Sequence, residues 1–188
     1  QFFFFFLLGY ETPTEIQKQT IPFILSDTRD LIALAATGTG KTAAFSPPIL
    51  DMIDDTSRKI QLLVLCPTSE LCLQITKDIK NYTKYLPNLK TTAVYGGSSI
   101  TDQIRSLREK PQIIVGTPGR VIDLIGRKAL DFSEIHWLVL DEADEMLSMG
   151  FKDDLETILS ETPSEKQTLL FSATMSKEVE RISKNYLT

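Results

Sequence analysis

Eight consecutive residues, Ala35-Ala36-Thr37-Gly38-Thr39-Gly40-Lys41-Thr42, follow an apolar run and precede a helix-compatible stretch. Glycines at 38 and 40 let the backbone approach a ligand closely, so successive N–H groups point at phosphate oxygens near the positive end of the following helix. In such a cradle Lys41 supplies a point charge for the β and γ phosphates, and Thr42 a hydroxyl for Mg²⁺. Ala35 stands where the strict pattern has glycine. A Gly-rich strand-to-helix turn with no ligand has much the same composition, so a second site must decide. It comes further along, where the apolar Trp137-Leu138-Val139-Leu140 ends in Asp141-Glu142. A buried strand that delivers a carboxylate to a phosphate loop completes a P-loop nucleotidase. Asp141 is then expected to hold Mg²⁺ through water, and Glu142 to orient or deprotonate the water attacking the γ phosphate.

These groups need elements to bring them together. Six short β-rich apolar runs, at 30–36, 61–66, 91–95, 112–116, 137–140 and 168–171, alternate with helix-compatible segments. Alternation of this kind predicts an α/β fold with a mainly parallel central sheet. Most of the runs are continuously hydrophobic, as expected for strands covered by helices on both faces. The third, which contains Thr91 and Thr92, is expected nearer an edge. Helices are expected over 69–85 and 152–161, with Lys77, Lys80 and Lys84 on the first and Asp153, Asp154 and Glu156 on the second forming solvated faces. Leu86-Pro87-Asn88, Gly96-Gly97, Lys110-Pro111 and Thr162-Pro163 mark loops. Ligands of open α/β sheets bind at the carboxyl ends of the strands. Six polar or Gly-rich clusters directly follow predicted strands: the phosphate loop, Pro67-Thr68, Gly96-Gly97, Thr117-Pro118-Gly119-Arg120, Asp141-Glu142 and Ser172-Ala173-Thr174.

Composition sets outer bounds. The 188 residues, 42% apolar and 24% charged, suit one globular domain with a full core. Twenty basic against 25 acidic residues give a net charge of −5, so any nucleic-acid site must be local. Cys66 and Cys72, with His136 as the single histidine, make neither a zinc site nor a disulfide framework, and reduced thiols fit a cytoplasmic protein. The apolar stretch at 2–8 is too short to span a bilayer and lacks the flanks of a secretory signal, so no membrane association is expected. Residues 1–8 are set apart as an apolar N-terminal segment, and 9–188 as the domain.

With Asp141-Glu142-Ala143-Asp144 the chain resembles the first RecA-like domain of a DEAD-box ATP-dependent RNA helicase, over 9–188. The stretch 9–17 (Gly-Tyr-Glu-Thr-Pro-Thr-Glu-Ile-Gln) resembles the family's adenine-reading Q motif, with Tyr10, Thr12 and Gln17 implied at the base. Residues 35–42 are similar to motif I, which puts Ala36, Thr37, Gly38, Thr39, Gly40, Lys41 and Thr42 at ATP, and 67–74 to motif Ia. Gly96-Gly97 and 117–120 resemble RNA-contacting loops, Asp141 to Asp144 motif II, and Ser172-Ala173-Thr174 motif III. The resemblance implies a single RecA-like P-loop domain that binds ATP and Mg²⁺, with Lys41, Asp141 and Glu142 catalytic and Thr42 and Asp141 at the metal. It implies RNA held through its sugar-phosphate backbone, independent of sequence, by Pro67, Thr68, Gly96, Gly97, Thr117, Pro118, Gly119 and Arg120. Asp144, Ser172, Ala173 and Thr174 are implied to couple the nucleotide to RNA-driven closure against a second RecA-like domain. The side chains suit these roles: the Gln17 amide both donates and accepts, as an adenine Hoogsteen edge requires. The 117–120 turn combines a hydroxyl, a helix-start amide and a guanidinium, which suit phosphates.

Three departures stand out. Motif Ia usually has arginine where Ser69 stands, which removes one cation from the expected RNA path. Pro47 adds a second proline beside Pro48, so the helix after the phosphate loop is expected to bend or restart there. The family's adenine-stacking aromatic would precede Gln1, leaving the adenine pocket incomplete. The second RecA-like domain lies outside these residues, so the isolated chain is expected to bind nucleotide weakly, hydrolyse it slowly and unwind nothing. The competing readings are an ATP-gated RNA clamp without productive turnover, and a DNA translocase or other P-loop ATPase. Intact Lys41, Asp141 and Glu142 weigh against the first, and the Gln17 segment with the complete Asp-Glu-Ala-Asp against the second.

Overall fold

The computed structural model describes residues 14–35 and 40–188. Six parallel strands form one sheet: β1 (Leu31–Leu34), β2 (Leu62–Leu65), β3 (Thr91–Val94), β4 (Ile113–Gly116), β5 (Trp137–Leu140) and β6 (Gln167–Ser172), in the order β1-β6-β5-β2-β4-β3. Each expected strand is present within two residues of its expected bounds, and β3 lies at an edge as its threonines suggested. Between them run α1 (Glu15–Ser26), α2 (Lys41–Met52), α3 (Ser69–Tyr82), α4 (Ile100–Leu107), α5 (Pro118–Gly126), α6 (Ala143–Ser148), α7 (Lys152–Glu161) and α8 (Lys177–Tyr186).

Period-two alternation in the strands divides the core into two layers. Leu62, Val64, Ile113, Val115, Val139, Leu169 and Phe171 pack with residues of α2 and α3 on one face. Their neighbours Leu63, Leu65, Ile114, Leu138, Leu140 and Leu170 pack with α5, α6, α7 and α8 on the other. All four residues of β2 are fully buried, which explains its unbroken apolar run. Because every pairing is parallel, all six carboxyl ends lie along one edge, and the described residues of the clusters that follow them share it.

Two helices differ from expectation. The helix expected over 69–85 ends at Tyr82, because Thr83 caps it by turning its hydroxyl back to the carbonyls of Ile79 and Lys80. Of the bend or restart expected at Pro47, the restart does not occur: α2 runs unbroken from Lys41 to Met52 through both prolines. Each proline removes one helical N–H, a loss that would break an exposed helix. Here Ala43 to Leu50 are all buried between α1 and the sheet, and tertiary packing outweighs local propensity. The same segment carries a buried defect, for Ser46 Oγ has no hydrogen-bond partner among the described residues.

Candidate functional site

The chain leaves β1 at Leu34 and re-enters the described structure at Gly40, the N-cap of α2. Tyr10, Thr12, Ala36, Thr37, Gly38 and Thr39, all expected at the nucleotide, lie outside the described residues. Gly40 has φ +80°, a left-handed conformation that glycine adopts without the Cβ penalty, and an added Cβ would stand 2.6 Å from Gln17 Nε2. Gln17 is itself buried at 2% exposure, and its amide is engaged at both ends. Nε2 donates to the Gly40 carbonyl at 3.1 Å, and Oε1 accepts from the Thr14 amide at 2.9 Å within a capping box. The expected base reader thus also ties its own segment to the phosphate loop.

Lys41 opens α2 and Asp141 follows β5, and the two meet at 3.0 Å between Nζ and Oδ1, with side chains 7% and 3% exposed. The Asp141 amide continues the sheet ladder by donating to Leu65 O at 2.9 Å, so the acid is set rigidly on the rim. Burial pushes the Asp141 carboxyl above the usual aspartate range, and the Lys41 ammonium opposes the rise without cancelling it. The contact is ionic and poorly directed: among the described residues Asp141 Oδ1 has no hydrogen-bond partner of good geometry. A buried carboxylate oxygen left in this state fits a hard cation with its waters, and Thr42, the residue after Lys41, is half-buried.

Glu142 is the N-cap of α6 and holds φ 52°, ψ 52°, a left-handed conformation uncommon for a side chain of its size. Strain of this kind costs on the order of 1–3 kcal/mol and concentrates at functional sites. Two residues on, Asp144 Oδ2 accepts from the Thr174 amide at 3.2 Å and the Thr174 hydroxyl at 3.0 Å, while Ser172 Oγ donates to Thr174 O at 2.6 Å. Burial alone would raise the Asp144 carboxyl, but hydrogen bonds from Thr174 and Ser172 hold it below its ordinary value. The Ser172 carbonyl also accepts from the Ala35 amide at 2.9 Å, so the end of β6 joins Asp144 to the entrance of the phosphate loop. Nothing in residue spacing signalled that link.

The remaining expected residues lie along the same edge beyond β5. Thr68 caps α3 by accepting from the Leu71 amide at 3.2 Å, Pro67 is buried, and Ser69 is exposed. Thr117 stands at the N-cap of α5 without a side-chain capping bond, and Pro118, buried like Thr117, opens the first turn ahead of Gly119 and Arg120. Gly96 and Gly97 are exposed, with Gly97 at φ +81°. Arg120 donates to Gln103 Oε1 at 2.8 Å and to Ser98 O at 3.1 Å. Gln103 was not singled out by the sequence, because a glutamine on an amphipathic helix carries no signal by itself. Cys66 and Cys72 are buried free thiols. No helix among the described residues is long and apolar enough to cross a membrane.

Comparison with known proteins agrees with this layout. A family profile described as DEAD/DEAH box helicase matches residues 14–182. The ATP-dependent RNA helicase DeaD of Mycobacterium tuberculosis is 53% identical over 180 residues, which cover 96% of this chain and 32% of that protein. The ATP-dependent RNA helicase CshA of Listeria monocytogenes is 51% identical over 180 residues, covering 96% of this chain and 34% of that protein. This chain therefore spans 32–34% of the length of these curated relatives. The crystal structure of a DEAD box protein from the hyperthermophile Methanococcus jannaschii superposes with a TM-score of 0.92 at 41% identity, covering 98% of this chain and 50% of that one. The six-stranded parallel sheet and the Lys41–Asp141 pair, matched by a family profile over nearly the whole described chain, establish that the chain belongs to the DEAD/DEAH box helicase family.

Proposed function

We propose that this chain is the ATP-binding half of an RNA-dependent ATPase that separates short RNA duplexes or remodels RNA–protein complexes. The observation that carries the reading is the buried Lys41–Asp141 pair on the carboxyl rim of a parallel sheet, with Glu142 one residue away. Two opposite charges buried without full hydrogen bonding are costly, and a nucleotide with its metal offers each a better partner. Lys41 turns to the β and γ phosphates, and the backbone around Gly40 closes on them. Thr42 and Asp141 are the residues that would hold Mg²⁺, Asp141 through water, and the bound ion would neutralise charge building on the phosphoryl oxygens. Glu142 takes the proton of the water whose oxygen attacks the γ phosphorus, while the bond to the β–γ bridging oxygen breaks. Gln17, held against Gly40, selects adenine with Tyr10 and Thr12.

The turns that carry Pro67, Thr68, Gly96, Gly97, Thr117, Pro118, Gly119 and Arg120 face RNA, with Thr68, Gly96, Gly97 and Gly119 exposed, Arg120 half-buried, and Pro67, Thr117 and Pro118 buried beneath them. They offer backbone amides, hydroxyls and one guanidinium, and such groups bind the sugar-phosphate backbone without reading bases. Asp144, Ser172, Ala173 and Thr174 relay nucleotide state to closure on a second RecA-like domain. A relay of this kind fits a chain whose Ser172 carbonyl is bonded to the phosphate-loop entrance and whose Thr174 is bonded to Asp144. A cytoplasmic location is part of the same reading, and the two buried free thiols support it. The full-length protein tests the proposal. It should hydrolyse ATP faster when RNA is added and displace the strand of a short duplex. Glu142→Gln should still bind ATP and RNA but lose about 10²–10⁴-fold in turnover. Turnover of Glu142→Gln at the parent rate would refute the assignment, and RNA-independent hydrolysis would refute the substrate class.

A further inference from the structure

We propose that Gln103 is a positioning residue that locks the Gly96-Gly97 turn to the Thr117–Arg120 turn, so that the two present a single RNA-facing surface. The inference rests on the reading of those turns as RNA contacts. Gln103 lies in α4 and is 6% exposed, so its amide has exchanged water for protein partners. Its Oε1 accepts from the Tyr95 amide at 3.3 Å, and its Nε2 donates to the Tyr95 carbonyl at 3.0 Å. Tyr95 follows directly on β3, an edge strand, where main-chain groups would otherwise lack a strand neighbour. A primary amide reproduces the donor and acceptor of a peptide group, and Gln103 closes the Tyr95 pair as an adjacent strand would.

The same Oε1 accepts from Arg120 at 2.8 Å, and Arg120 reaches on to the Ser98 carbonyl at 3.1 Å. The glycine turn is thereby anchored at both ends, Tyr95 on one side and Ser98 on the other. Around the glycines themselves the turn is open: a Cβ added at Gly96 or Gly97 would meet no atom within 4 Å. Gly97, at φ +81°, has a conformation that glycine takes up without a Cβ penalty, and the anchors select it from the others open to glycine. Arg120 acts first as the strut of this clamp, and its Nε and remaining N–H groups stay available to a phosphate. Gln103 itself offers RNA no charge and acts through the geometry of the amides it holds.

The test uses RNA-stimulated ATP hydrolysis by the full-length protein. Gln103→Ala should raise the RNA concentration for half-maximal stimulation by about tenfold or more, and by more than it lowers kcat at saturating RNA. The salt dependence of RNA binding should keep its slope, since no cation is removed. Gln103→Ala combined with Arg120→Gln should weaken RNA binding by clearly less than the product of the two single losses, because the two side chains share one unit. Thermal melting checks the fold; if Gln103→Ala does not fold, Gln103→Met keeps the length without the hydrogen bonds and carries the same expectation. Half-stimulation within about twofold of the parent, or losses that multiply in the double variant, would overturn the clamp. A parent whose hydrolysis ignores RNA would instead refute the reading of the turns.

Discussion

Replacing Lys41 by methionine strands the Asp141 carboxylate in a site where its side chain is 3% exposed, and the penalty is open to calculation. At 3.0 Å the pair attracts by about 5–6 kcal/mol at an effective dielectric near 20. That gross figure is not what the variant loses, because a buried acid escapes by taking up a proton. From the ordinary aspartate value of 3.8 to pH 7, at about 1.36 kcal/mol per pH unit, the escape costs about 4.4 kcal/mol. The smaller figure sets the ceiling. The parent already bears part of it, since burial raises Asp141 even beside Lys41, so a loss of about 3 kcal/mol is expected at pH 7. The sign follows from linkage. A carboxyl raised on folding favours the folded state below 3.8 and loses that advantage as pH rises, so the deficit of Lys41→Met should shrink towards zero near pH 4. Urea unfolding of this chain at a series of pH values, for parent and Lys41→Met, measures it. Lys41→Met paired with Asp141→Leu should recover most of the loss, because an apolar pair of similar volume leaves no charge behind. A deficit independent of pH, or below about 1 kcal/mol at pH 7, would refute the reasoning.

Three further outcomes follow from the same structure. Ser46 Oγ is fully buried without a hydrogen-bond partner among the described residues, so Ser46→Ala should stabilise the chain by about 1 kcal/mol in the same unfolding assay. Ser69 is exposed beside the Thr68 cap, so Ser69→Arg fits without clash. It should tighten RNA binding by the full-length protein and steepen its salt dependence by about one charge, and unchanged affinity across a salt series would count against the placement of motif Ia. The isolated chain should hydrolyse ATP very slowly with or without RNA, because arginines supplied to the γ phosphate by another domain contribute about 10³–10⁵ in rate. Rapid RNA-stimulated turnover by this chain would contradict that.

The sheet was legible because strands buried on both faces are written as unbroken apolar runs. Leu62 to Leu65 needs no period to be recognised, and a parallel sheet puts whatever follows each strand on one rim. Lys41 and Asp141 were legible as partners because motif and topology together leave them one place to meet. What stayed hidden depends on contacts between segments distant in sequence. The Gln17 bond to the Gly40 carbonyl, the Ala35 bond to Ser172 and the double use of Gln103 Oε1 have no local signature. The restart at Pro47 failed for the opposite reason: its local signal is strong, and burial of the segment between α1 and the sheet overrides it. The end of α3 at Tyr82 turned on one threonine hydroxyl, an effect smaller than the resolution of propensity.

Equilibrium titration of this chain with ATP, with and without Mg²⁺, tests the central claim most directly. Binding should strengthen with Mg²⁺ in the parent, be lost in Lys41→Met, and no longer respond to Mg²⁺ in Asp141→Asn. Equal affinity in all three proteins, or binding indifferent to Mg²⁺ in the parent, would contradict the claim.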